Sequence, residues 1–432
     1  MNEVFKSAGT GLPMWTSKED KRGIDPLGMQ TTSVALYQEL LPGISNVTLR
    51  MRYYGFYAWL AQNYAERIGD TSVERWCVYT PHQKQNEKDV AGKVAIAPTK
   101  IKWTRGLRTS LARGTRSTFS EASIGMALHR PFSKSWLYLD SIWAEYKPTK
   151  IWPSINYTNL VISVIGVPER KGFSCLVANV PCDLHMMDTG QVFPLYWYEQ
   201  QTAQRQKGLS FGDEHGASDD NGFIKRDGIS DVALETFRKQ YSDPSITKED
   251  IFFYVYGILH SSQYREQYEA DLKKVMPRVP FATDFRAFEQ GGRKLAKLHL
   301  DFEIVEPWPV QIEAKPQGDM DPFTYYRVDK MRFASAGGRE KDKTTLIYNP
   351  RITLKGIPAE AADYVVNAKS AIEWIMEEYQ DYTENESAIR NDSNAWSREH
   401  VDPAYILTLL QRVIRVSVET MGIVRSLPLL QG

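Results

Sequence analysis

Four short runs fill residues 135–200: WLYLDSIW, NLVISVIGV, FSCLVANV and VFPLYWYE. Each is β-branched or aromatic, and Pro, Gly or charged residues separate one from the next. Runs of this kind predict strands bounded by turns. Helical pattern returns only later and without a regular β-α alternation, which argues against a doubly wound sheet. The chain is therefore expected to be α+β, with a small helical N-terminal domain, then a mixed β-rich domain with helical insertions and a helical C-terminus.

Thr247 with Glu249 and Asp250 marks a helix start for DIFFYVYGILHSSQYREQYEADLKKVM, because a side-chain oxygen caps the first free N–H groups. Residues 284–300 are predicted helical, DFEIV, VQIEAK and TLIYN strands, and 359–380 and 402–427 helical again. Upstream, LGMQTTSVALYQELLPG predicts a helix closed by Pro42-Gly43. In NVTLRMRYYGFYAWLAQNYAERIG, Val47, Met51, Tyr54, Ala58 and Ala61 keep helical spacing until Gly69. Arg50 and Arg52 there are expected to meet carboxylates. A polar stretch without period predicts a linker at 81–97, which divides the chain into 1–80 and 98–432. Residues 201–230, polar and glycine-rich, predict a surface loop. Within the second part the β-rich core is expected at 135–200, helices at 247–300, strands at 301–355 and a helical end at 359–428.

Basic and acidic residues balance at 53 each, so global charge points to neither nucleic acid nor an anionic membrane. No apolar run approaches the roughly 20 residues of a bilayer span, and MNEVFKSAGTGLPMW has no apolar signal-peptide region. Cys77, Cys175 and Cys182 are too few for a disulfide framework, and a cytoplasmic location is expected.

Catalytic signatures are missing from the sequence. It has no G-x-x-x-x-G-K-[ST] loop, no G-x-G-x-x-G after a strand and no G-x-S-x-G elbow. Tyr348-Asn349-Pro350-Arg351 departs from the Asn-Pro-Pro-aromatic motif of amino-methyltransferases at Arg351 and is expected to be a turn. Asp301 with Glu313 and Lys315 has the composition of a metal-dependent nuclease site, two carboxylates for Mg²⁺ and a lysine for the attacking water. Cys175, Cys182 and His185 offer zinc-type ligands, but buried structural thiols are the expectation. No catalytic residue, metal or cofactor is therefore expected.

The strongest positive signal is TKIKWTRGLRTSLARGTRSTFSE. Lys100, Lys102, Arg105, Arg108, Arg113 and Arg116 arrive before any acid. Lys102, Arg105 and Arg108 share one face if this piece is helical. Such cations supply the sequence-independent part of DNA affinity.

A longer ordered series carries a family resemblance. It runs PTKIKWTRGLRTSLARG (98–114), LHRPFSKSWLYLD (128–140), LHMMDTGQVFPLYWYE (184–199) and DIFFYVYGILHSSQYREQYEADLKKVMPRVPF (250–281). GRKLAKLHLDFE (292–303), YYRVDKMRF (325–333), IYNPRITLKGIP (347–358), YVVNAKSAIEWIMEEYQ (364–380) and VDPAYILTLLQRVIRVSVETMGIVRSLP (401–428) continue it. From about Pro98 onward the sequence resembles the C-terminal part of type ISP restriction–modification enzymes, bacterial single polypeptides that combine nuclease, translocase, methyltransferase and specificity modules. The resemblance implies the tail of a methyltransferase unit plus a target recognition domain. The family's catalytic motifs lie upstream of the match and none occurs in this sequence. Residues 1–95 only faintly resemble other bacterial proteins and are left without a role.

The resemblance implies non-catalytic, sequence-specific binding of double-stranded DNA, as a specificity module of restriction–modification or phage defence. The basic residues at 100–116, with Arg130 and Lys134, would hold phosphates. Arg339, in the loop GGREKDKT (337–344), would pair with guanine. The alternatives are an adaptor or regulator docking on a separate methyltransferase or restriction subunit, and a Mg²⁺ nuclease.

Overall fold

The computed structural model describes residues 64–430 apart from 79–84, 91, 95–102, 104, 118–119, 144–148, 167–170, 189, 202–217 and 384–389. The helices expected before residue 64, with Arg50 and Arg52, lie outside the described residues. Among the described residues no helix is long and apolar enough to cross a membrane. Helices and several small antiparallel sheets alternate irregularly, as an α+β fold requires.

Helix α1 (Thr71–Cys77) starts at Asp70, whose carboxylate accepts from the Ser72 and Val73 amides at 3.0 and 3.4 Å. It packs against α2 (Arg105–Ala112) through aromatics. Trp76 meets Trp103 edge-on at 5.2 Å, and Tyr64 lies 5.8 Å from Trp143. Within the expected linker, Val90 and Val94 are buried.

Strands β1 (Ile124–Arg130) and β2 (Ser133–Tyr138) form a hairpin. Its turn places Phe132 at φ 58 with the ring buried, 5.5 Å from Phe302. Strands β3 (Val161–Val164), β4 (Cys175–Ala178) and β5 (Gln191–Pro194) make a buried sheet in the order β4-β3-β5. Strand β6 (Tyr196–Gln200) pairs with β7 (Phe223–Asp227), so part of the expected 201–230 loop is strand.

Two helices form the centre. In α3 (Lys248–His260), every residue from Asp250 to His260 is buried. A Thr247–Asp250 capping box opens it, as the sequence predicts. Helix α4 (Phe285–Leu300) is capped by Asp284 and crosses α3 at glycines. A Cβ on Gly292 would stand 1.8 Å from the Phe253 carbonyl oxygen, and one on Gly257 2.3 Å from that of Phe288. The backbones touch there, which explains glycine in the interior of both helices despite its entropic cost.

Three expectations are corrected here. The helix expected through 247–276 breaks at Ser261, which takes extended geometry and caps the next turn from Tyr264 N. DFEIV is a turn after α4, because Asp301 ends the helix and Ile304 points to solvent. In 359–380, Val365–Val366 and Lys369–Ser370 pair as a hairpin. Asn367 and Ala368 both have positive φ in its turn, the geometry of the two-residue hairpins that match strand twist. Only α5 (Ala371–Glu378) of that stretch is α-helix, and α6 (Tyr405–Ser426) completes the core.

A polar seam runs through this core. The Tyr256 hydroxyl accepts from Val177 N at 3.1 Å and shares a hydrogen bond with His299 Nδ1 at 2.6 Å. His299 Nε2 is hydrogen-bonded to Thr420 Oγ1 at 2.9 Å, joining β4, α3, α4 and α6. Burial, with Arg265 nearby, holds the His299 pKa down at about 3 from an ordinary 6.5.

Two outcomes follow from this packing. Gly292→Ala is expected to destabilise by about 3 kcal/mol or more, since backbone rather than a flexible side chain must yield. Denaturant titration would measure it. His299 stays neutral in the fold, so its contribution is complete above pH 6.5 and is lost as pH falls toward 3. His299→Gln should flatten that part of the stability profile, and unfolding midpoints across this range test it.

Candidate nucleic-acid interface

The expected phosphate-gripping cations separate once the chain is folded. Lys100 and Lys102 lie outside the described residues. Arg105, Arg113 and Arg116 are exposed. Arg108 is 7% exposed and its guanidinium lies 5.6 Å from the Trp76 ring centre. The reason is local. Leu107 and Leu111 set the inner face of α2, and residue 108 is drawn in beside them.

Arg130 and Lys134 each have carboxylate partners. Arg130 reaches Asp183 at 3.2 Å and Glu378 at 3.9 Å. His129 Nε2 stands 3.9 Å from Glu378, whose carboxyl burial pushes up to about 7 even with Arg130 beside it. Lys134 Nζ sits 2.6 Å from Glu303. These are partly buried pairs between distant segments.

Both carboxylates of the nuclease trio are in ion pairs with other lysines. Asp301 holds Lys297 at 2.6 Å and Glu313 holds Lys355 at 2.7 Å. Among the described residues no group of three or more His, Cys, Asp or Glu could hold a metal ion. Cys175 and Cys182 are buried thiols, raised by burial to about 11 and about 12, against the thiolate that zinc needs. The His185 side chain lies outside the described residues. Asn349 braces a turn, as expected: its amide donates to the Tyr325 and Arg327 carbonyls, and its oxygen accepts from Arg351 N and Ile352 N.

What stands free is a β-ribbon. Strands β8 (Gln311–Ala314), β9 (Arg332–Gly337), β10 (Glu340–Ile347) and β11 (Ile352–Lys355) form an antiparallel sheet in the order β8-β11-β10-β9. Phe333, Leu346 and Leu354 alternate inward as strand periodicity dictates. Arg332, Thr345, Thr353 and Lys355 take the other face. Beyond Ala334 and Asp342 the β9–β10 hairpin leaves the core, and residues 335–341 are all exposed. Its turn is Gly338-Arg339; Gly337, which ends β9, and Gly338 have φ +123 and +58 and nothing within 4 Å of where either Cβ would stand.

Arg339 sits on that tip, exposed; Lys341 is exposed beside it, and Arg332 is exposed at the base of the hairpin, opposite Ile347. Lys343, further down, stands 3.9 Å from Glu373 at the start of α5. The sequence pointed to this loop through Arg339 but left out Arg332 and Lys341. Their signal is the strand alternation on either side of Gly-Gly.

The model of the Type ISP C-terminal specificity domain matches residues 58–409. The chain belongs to that family. No curated protein sequence matches it. The solved structure described as "ATP-dependent Type ISP restriction-modification enzyme LlaBIII bound to DNA" is 30% identical with TM-score 0.65, over 84% of this chain and 22% of that one. A nuclease-deletion mutant of the Type ISP enzyme LlaGI, in complex with a DNA substrate mimic, is also 30% identical with TM-score 0.65, over 92% and 32%. The DrdV–DNA complex aligns at 30% identity and TM-score 0.64, over 76% and 31%. The chain thus spans about a fifth to a third of the length of these solved proteins.

Arg108→Ala should lower the unfolding midpoint, because it empties a site beneath Trp76, whereas Arg105→Ala should leave it unchanged. A thermal melt of the two variants separates the buried cation from the exposed one.

Proposed function

We propose that this protein is a non-catalytic reader of a specific double-stranded DNA sequence, serving restriction–modification or phage defence in the cytoplasm. The observation that carries the reading is the uncovered β9–β10 hairpin with Arg339 at its tip, in a member of a specificity-domain family whose solved relatives hold DNA.

The dimensions suit a groove. Four residue pairs of a hairpin extend about 13 Å at roughly 3.3 Å per residue. The major groove of B-DNA, about 12 Å wide and 8.5 Å deep, admits a two-stranded ribbon. The glycines leave the tip narrow, and Arg339 presents the forked donors that match guanine N7 and O6. Arg332 and Lys341, on the flanks, and Arg105, Arg113 and Arg116 keep the exposure that phosphate contacts need. With net charge zero, attraction to DNA depends on how these cations are placed rather than on their total.

Selection from pooled random duplexes at two salt concentrations tests the proposal. The expected result is one enriched sequence, with affinity falling steeply as salt rises. Arg339→Ala should erase roughly 10- to 100-fold discrimination at one position. Arg105→Ala combined with Arg113→Ala should weaken all sequences equally and lower the salt slope by about one for each cation removed. No enriched sequence together with flat salt dependence would overturn the reading.

A further inference from the structure

The hairpin assigned above to the groove carries a carboxylate at its tip, and a phosphate grip gives that group no purpose. Glu340 opens β10 opposite Gly337 and is exposed, with no ion pair among the described residues. The neighbouring acid differs. Asp342 accepts from Thr344 N at 2.9 Å and Thr344 Oγ1 at 2.5 Å, and these hydroxyl and amide donors hold its carboxyl below the usual range. Asp342 therefore braces the strand, while Glu340 has no such structural work.

Around Glu340 the hairpin offers no bulk. Ser335, Ala336, Gly337 and Gly338 are small and exposed. The group that follows Arg339 can thus approach a flat base edge as closely as the backbone does. Against the phosphate backbone a carboxylate is repelled, so its favourable position is the groove floor. The amino donors there are cytosine N4 and adenine N6. Guanine, which Arg339 suits, is the pairing partner of cytosine, so a donor and an acceptor on consecutive residues match the two bases of one pair.

We propose that Glu340 is a specificity-determining residue, accepting a hydrogen bond from the N4 amino group of a cytosine beside the guanine read by Arg339. The target would then contain a C·G pair at that position. The inference rests on the DNA-reading proposal. Its selectivity comes largely from exclusion, since thymine O4 or guanine O6 in the same place sets lone pairs against the carboxylate.

The experiment is duplex selection with the full chain as wild type, Glu340→Ala and Glu340→Gln, all at an exposed site where folding is not at stake. Wild type should select cytosine at one position by roughly 10- to 100-fold. Glu340→Ala should flatten that position and leave the rest of the motif intact. Glu340→Gln should move the preference toward adenine, whose N6 and N7 suit an amide. An unchanged motif in Glu340→Ala, with affinity for every duplex raised by the same factor, would show a mere charge effect and overturn the inference while the DNA reading stands. Adenine selected by the wild type would overturn it too. A wild type that selects nothing would remove both.

Discussion

The contact of α3 with α4 at Gly257 and Gly292 is the constraint on which the rest depends. With backbone against backbone, neither helix has room to slide or rotate. This fixes the positions of Tyr256 and His299, whose hydrogen bond is continued to Val177 in β4 and Thr420 in α6. A buried seam of this kind stabilises one arrangement rather than many, because leaving any member unpaired costs a desolvated polar group. Sheet, helix pair and C-terminal helix are thereby held in register.

From that centre the structure reaches outward to the ribbon. Helix α6 holds the segment after α4 along its length: Gln411 O accepts from Trp308 N at 3.1 Å, and Arg412 Nε donates to Val305 O at 3.0 Å. That segment leads into β8, and Asn349 clamps the turn between β10 and β11 to residues 325 and 327. Ion pairs of Lys343 with Glu373 and of Lys355 with Glu313 occupy cations near the base of the sheet. The hairpin tip is left with its charges uncommitted on a rigid support, which is the arrangement a reading element needs.

Local chemistry made much of this legible. The capping box at Thr247, the apolar runs of β3 to β5 and the amphipathic pattern of α4 are decided within a few residues, so the sequence states them directly. The hairpin at 365–370 was hidden because Val-Val-Asn-Ala-Lys-Ser continues a helical pattern, and only the positive φ at Asn367 and Ala368 breaks it. The binding cations were harder still. Whether Arg130 is free depends on Asp183, 53 positions away, and whether Lys134 is free depends on Glu303, 169 positions away. A basic run in sequence reports charge, while partner carboxylates assigned by the fold decide which charges remain for a ligand. Arg108 illustrates a different effect, since the helix face defined by Leu107 and Leu111 buries it.

The central claim is that the exposed end of the β9–β10 hairpin, rather than the basic run at 100–116, makes the intimate contact with DNA. Amide hydrogen exchange of the full chain, with and without its selected duplex, tests this most directly. The account predicts new protection concentrated in residues 334–343, with at most slight change along α2. Saturated binding that leaves 334–343 exchanging as in the free protein, and protects α2 instead, would contradict it.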